Sequence, residues 1–273
     1  MSPGGTIVAL FHRTGDGLLA ARVGDAAFLA LPRDDGTLRI AYGSRLEAPP
    51  EFWTPRDFYG VSRLVNGEDG FRAYVESQAE HRRQLAGLER REVRASAATP
   101  WGGAQISWLY AEGIVRHSTA GHGGFHVDPQ RNAEIHSAWR NADGWYEEDC
   151  EWSKVAVAFP KLFTDYERQC AQETLRNSEP DAYEQIYRVV LVSGQSHVKD
   201  ERRFKREHAA DWIVISAINS TQQPGFVECI ATIGGDRRNN EERRFLIPSQ
   251  EYKTGRFGFV IDLARHAAYD GPG

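Results

Sequence analysis

A chain of 273 residues is long enough for one large domain or two modest ones, and either buries a core. With 41% apolar, 26% charged and 11% aromatic residues, the composition is that of a folded globular protein and excludes global disorder. A formal net charge of −5 gives no general attraction to nucleic acid or anionic membranes, and three cysteines with no CxxC pair exclude a disulfide or zinc-ribbon framework.

Cys150, Cys170 and Cys229, odd in number and widely spaced, fit a reducing, cytoplasmic setting. Residues 1–5 show no basic and apolar leader, and the longest apolar run, 212–218, falls far short of the roughly 20 residues a membrane helix needs, so no membrane partner is expected.

The chain opens with strand patterns at 6–11, 18–31 and 38–42, broken by Gly15-Asp16-Gly17, Gly24-Asp25 and Asp35-Gly36, which predict a small antiparallel meander. Pro49-Pro50 and Pro55 interrupt it, with Phe52 and Trp53 expected to pin the loop to an apolar surface. Phe71, Tyr74, Val75 and Gln78 then recur at helical spacing, and the pattern predicts a helix from Asp69 to about Ala95. Its distal arginines, Arg82, Arg83, Arg90, Arg91 and Arg94, interleave with Glu80, Glu89 and Glu92, as in a solvated connector helix.

Thr99-Pro100-Trp101-Gly102-Gly103 stops that helix, and residues 105–110 read as strand. Next comes the densest chemistry in the chain, Arg116-His117-Ser118-Thr119-Ala120-Gly121-His122-Gly123-Gly124-Phe125-His126. β-branched and apolar flanks around a glycine-rich centre predict a hairpin. A turn centred between Gly121 and His122 would set His117 directly opposite His126 on one face, with His122 in the loop. After the turn Asn141-Ala142-Asp143-Gly144, the run Glu147-Glu148-Asp149 is placed in the first turn of a helix through Phe159, where the helix dipole favours acids.

Thr164-Asp165-Tyr166-Glu167 has the form of a capping box opening a helix to about Arg176. Further helices are expected from Pro180 to about Val192 and over 196–210. Strand patterns at 212–220, 225–233, 243–247 and 257–262 close the chain. Strands, then helices, then strands predict α+β, antiparallel sheets with a central helical segment. The expected organisation is a small β-rich unit at 1–66, a connector helix at 67–98 and a main α+β domain at 99–273.

Two chemistries fit the histidine segment. One is a zinc-like divalent metal held by His117, His122 and His126 with Asp149 or Glu147, leaving a position for an activated water. No HExxH motif accompanies these histidines. The other is metal-free: Ser118 or Thr119 as nucleophile, His117 or His122 as base, and Glu148 orienting it. GxSxG and P-loop patterns are absent, and the glycines at 121–124 are equally expected simply to supply positive φ angles in a tight loop.

Thr99-Pro100-Trp101-Gly102-Gly103-Ala104-Gln105, the segment 110–127 and Asn141-Ala142-Asp143-Gly144-Trp145-Tyr146-Glu147-Glu148-Asp149 through Phe159-Pro160 resemble an uncharacterised domain-of-unknown-function family. That family is met in alphaproteobacterial genomes and in phage, plasmid and polyvalent proteins, and it brings no catalytic residue. The resemblance implies a mobile-element accessory protein, of anti-restriction or anti-CRISPR type, that binds a host defence protein or a nucleic-acid complex. The alternative is a small-molecule or nucleotide hydrolase or transferase using the histidine segment and the acids at 147–149.

Overall fold

The computed structural model describes residues 7–95, 97–238 and 241–271; Thr6, where the first strand was expected to begin, lies outside them. The chain forms two compact units, residues 1–175 and 176–273. Helices and antiparallel sheets coexist, so the fold class is α+β.

Unit 1 begins with five antiparallel strands in meander order, β1 (Ala9–Arg13), β2 (Leu19–Val23), β3 (Ala26–Pro32), β4 (Thr37–Ser44) and β5 (Gly60–Asn66). The sequence reading missed β5, whose Val-Ser-Arg-Leu-Val run lacks a clean alternation and which pairs with β4 across a register shift at Ile40 and Ala41. Helix α1 (Gly67–Gly87) lays Phe71, Tyr74, Val75 and Ala79 across one face of this sheet, against Ala21, Val23, Phe28, Ala30 and Ile40. The opposite face buries Ala20, Ala27, Leu29 and Ala41 under Trp53, whose indole Nε1 donates to the Ala48 carbonyl at 2.8 Å. Trp53 therefore pins the loop as expected, whereas Phe52 is exposed.

Helix α1 ends eight residues before its expected limit at Ala95. Residues Arg91–Val93 form β6, which pairs with β9. Arg90, between them, is no solvated connector residue. Its guanidinium grips the Glu167 carboxylate through two hydrogen bonds of 2.8 and 2.6 Å, donates to the Leu162 carbonyl and lies 4.2 Å from the centre of the Tyr110 ring.

After the two-residue hairpin β7 (Ala98–Thr99) and β8 (Gly102–Gly103) come β9 (Ile106–Ala111), β10 (Ile114–Ser118) and β11 (Gly123–Val127). The short helix α2 (Pro129–Asn132) and strand β12 (Trp145–Glu147) follow. The second sheet has the order β12-β11-β10-β9-β6, all antiparallel. One face carries Phe125, Tyr146 and Tyr110 into a core with Phe163; helix α3 (Trp152–Ala158) adds buried Val155 and Ala156.

Trp145–Glu147 is thus an edge strand rather than the approach to a helix, and α3 starts only at Trp152. The turn before it forms as expected, with Gly144 at φ +71° and its would-be Cβ 2.3 Å from the Val127 carbonyl.

Helix α4 (Asp165–Ser178) opens with the expected capping box: the Glu167 amide donates to Thr164 Oγ1 at 3.1 Å and the Thr164 amide to Glu167 Oε2 at 2.8 Å. The boundary between the two units falls within this helix.

Unit 2 holds α5 (Pro180–Tyr187), α6 (His197–Glu207), and a sheet of β13 (Trp212–Asn219), β14 (Phe226–Ile233), β15 (Glu242–Pro248) and β16 (Ala267–Ala268) in that order. Helix α5 stops at Arg188, which adopts φ +53°, and so falls short of Val192. Ser196 caps α6, its hydroxyl accepting from the Lys199 amide. Residues 257–262 do not form the expected strand: Gly258, at φ +131°, breaks the extended run, leaving a bridge between Val260 and Ile213. Cys229 is buried in this sheet, and burial pushes its thiol up to about 12. Among the described residues no helix is long and apolar enough to cross a membrane.

Candidate functional site

The hairpin β10–β11 closes through a two-residue connection, Ala120-Gly121. The Thr119 amide donates to the His122 carbonyl at 2.7 Å, its hydroxyl donates to the same oxygen at 2.8 Å, and that hydroxyl accepts from the His122 amide at 3.2 Å. The turn is centred one residue earlier than expected, so His117 stands opposite Gly124 and His126 opposite Val115. Because the shift preserves facing, the two imidazoles remain diagonal neighbours on one face. Both pack on Trp145, with ring centroids 5.6 Å away for His117 and 4.5 Å for His126.

His117 is buried, and its Nδ1 pairs at 2.8 Å with Ser107 Oγ, the hydroxyl opposite it on β9. Burial, and secondarily the charge of His126, push the His117 pKa down. A histidine shifted this way contributes stability above the ordinary value of 6.5 that is lost as pH falls through the folded value. An NMR titration should place the His117 midpoint below 6.5; a midpoint above it would contradict the burial argument.

The hydroxyls proposed as nucleophiles are placed differently. Thr119 is buried and spent on closing the turn, and Ser118 ends β10 opposite Gly123. Among the described residues, the imidazole with a hydroxyl partner in this segment is His117, and that partner is Ser107.

At the hairpin tip three other side chains converge. Ligand atoms of His122, Glu147 and Glu148 all lie within 4.8 Å of one another. His122 Nδ1 is 3.9 Å from Glu147 Oε1, and Arg116 Nη2 is 3.6 Å from Glu148 Oε2. Glu147 Oε1 is buried without a hydrogen-bond partner, while its other oxygen accepts from the Asp149 amide at 2.6 Å. Asp149 therefore contributes its backbone amide, and the residue itself is exposed. Of the metal set read from sequence, His122 and Glu147 join the cluster, whereas His117, His126 and Asp149 do not.

The glycines act through closeness of approach. Gly121, Gly123 and Gly124 are all absent from the positive-φ residues, contrary to the expectation from sequence. A Cβ on Gly123 would meet Glu148 Oε2 at 2.6 Å and the His117 carbonyl at 2.8 Å, so its bare backbone lets the carboxylate sit against the hairpin. A Cβ on Gly124 would meet the Tyr146 carbonyl at 2.3 Å and Trp101 Cη2 at 2.4 Å. Trp101, presented by the β7–β8 hairpin, lies there and contacts Trp145 edge to face at 5.7 Å and 89°.

An open groove of about 670 Å³ runs beside the cluster, with Trp101, Trp145, Arg140, Asn141 and Glu147 among its walls. The sequence reading missed Ser107, Trp101 and Trp145. The available signal was the alternation Trp145-Tyr146-Glu147 directly after a glycine turn, which marks a strand with Trp145 and Glu147 on one face.

No curated protein and no solved structure matches the chain significantly. Residues 94–209, the stretch that holds the hairpin tip, β12 and the groove, match the family described as Domain of unknown function (DUF7007), in keeping with the resemblance to an uncharacterised domain.

Proposed function

We propose that His122, Glu147 and Glu148 bind a divalent transition ion and that the protein is a metal-assisted hydrolase of small-molecule or nucleotide esters. The observation that carries this reading is the buried, unpartnered Glu147 Oε1 facing an imidazole and a second carboxylate. Two carboxylates held together repel, and a buried carboxylate oxygen without a donor is costly; a cation relieves both.

Donors about 2.1 Å from an octahedral ion stand about 3–4 Å apart, so small rotations of exposed His122 and of Glu148 would close the set. One imidazole with two carboxylates suits zinc or manganese, and three protein ligands leave positions for water and substrate. An ion there would polarise an ester oxygen and acidify a bound water. The protein's own part is to hold the carboxylates through Gly123 and the Asp149 amide.

Protein purified without a histidine tag should bind one Mn²⁺ or Zn²⁺ per chain in calorimetry, and Glu147→Gln or His122→Ala should weaken binding at least tenfold. Metal content near zero together with no titratable Mn²⁺ or Zn²⁺ binding would remove the proposal.

A second reading is binding of a host defence protein or nucleic-acid complex by a mobile-element accessory protein. It is supported by the exposed apolar run of Val189, Val190 and Val192. On that reading, Val190→Glu should abolish partner capture while His122→Ala leaves it intact.

A further inference from the structure

The groove beside the cluster narrows the substrate class, an inference that rests on the metal reading above. Trp101 is held by its own turn: its amide donates to Thr99 Oγ1 at 3.1 Å, and the Thr99 hydroxyl donates to the Gly102 carbonyl at 2.8 Å. Trp145 is fixed on β12, its amide donating to Asp143 Oδ1 at 3.1 Å. Both indoles are only half-buried, and their perpendicular arrangement makes a two-walled aromatic corner.

Trp145 and Glu147 are two residues apart on one strand, so their side chains share a face with Cα atoms about 7 Å apart. That is about the reach from a stacked planar ring to a phosphate carried by its sugar.

Charge decides between an organic cation and an anion-bearing ring. Glu151 is already engaged by Lys154 at 3.0 Å and by the Asn141 amide group at 2.9 Å. With Glu147 turned to the ion, the groove keeps one residue of each sign, Arg140 and Asp143. The Arg140 guanidinium is fixed in the wall by donating to the Ile135 and Ala133 carbonyls. Carboxylates free to select an ammonium group are therefore not in excess, whereas aromatic faces next to a divalent ion suit a base and its phosphate. We infer that the substrate is a nucleoside phosphate, its base against Trp101 and Trp145 and its phosphate directed to the ion at Glu147.

The test uses the full chain, Mn²⁺, AMP, adenosine and inorganic phosphate in calorimetry, with Trp101→Leu and Trp101→Phe as variants. Trp101→Leu removes the aromatic face and should weaken AMP binding in the presence of Mn²⁺ at least tenfold. It should leave the affinities for Mn²⁺ and inorganic phosphate within twofold, which also shows that the site is folded. Trp101→Phe should restore most of the AMP affinity, and adenosine should bind more weakly than AMP.

If AMP binds no tighter than inorganic phosphate, or equally to Trp101→Leu and wild type, the nucleotide inference is overturned while Mn²⁺ binding keeps the metal reading. If wild type binds no Mn²⁺ and no Zn²⁺, both fall.

Discussion

Arg90→Met should destabilise unit 1 by about 3 kcal/mol, lowering its melting temperature by roughly 6–12 °C. The substitution keeps an apolar stem but strands the Glu167 carboxylate, which is mostly buried and paired to Arg90 by both oxygens. Burial alone would raise the Glu167 pKa, yet the hydrogen bonds from Arg90 and from the Thr164 amide hold it below the ordinary 4.5.

The sign follows from the depressed value. The stabilisation is present above about pH 4.5 and is lost as pH falls through the lower folded pKa. The gap between wild type and Arg90→Met should therefore shrink on acidification. Replacing both partners by apolar residues should recover much of the loss. Calorimetric melting at several pH values checks this, and a shift under 2 °C at neutral pH would show that the pair carries little.

Gly124→Ala should cost about 2–3 kcal/mol through overpacking. The clash is with a backbone oxygen, that of Tyr146, and with the Trp101 ring, so β12 must part from β11 or Trp101 must leave the sheet. Near-ultraviolet circular dichroism should change along with the melting temperature, because Trp101 and Trp145 would lose their contact. Gly121→Ala is the control: nothing lies within 4 Å of its would-be Cβ and its φ is not positive, so melting should move by less than about 0.5 kcal/mol. Equal effects at the two positions would refute the close-approach argument.

Much of the fold was legible where one local rule acted alone. The capping box at Thr164 and Glu167, the glycine turn before Trp145 and three of the four terminal strands appear as read. The reading failed where pairing overrode local pattern. Arg91–Val93 has helix-compatible charges, but its backbone is claimed by β9. Trp145–Glu147 has acids suited to a helix start, but β11 takes it as an edge.

The site followed the same division. His122 and Glu147 were read as metal ligands and Glu148 as the acid orienting a base, and the three do come together. The hairpin register decided the roles of His117 and His126, and a one-residue change in turn centre is set by the hydrogen bonds of Thr119 with His122, which spacing does not reveal. Trp101 was out of reach of local reasoning because its partner, Gly124, lies 23 positions along the chain.

Strand β12 is three residues long, sits at the rim of its sheet and borders a single neighbour through three register pairs. Such a segment can detach without the remaining four strands separating, so its amides should exchange with solvent faster than those of β10 in the ligand-free protein. An occupant gripping Glu147 would resist that fraying, and slower deuterium uptake at Tyr146 and Glu147 would then report binding from the backbone itself.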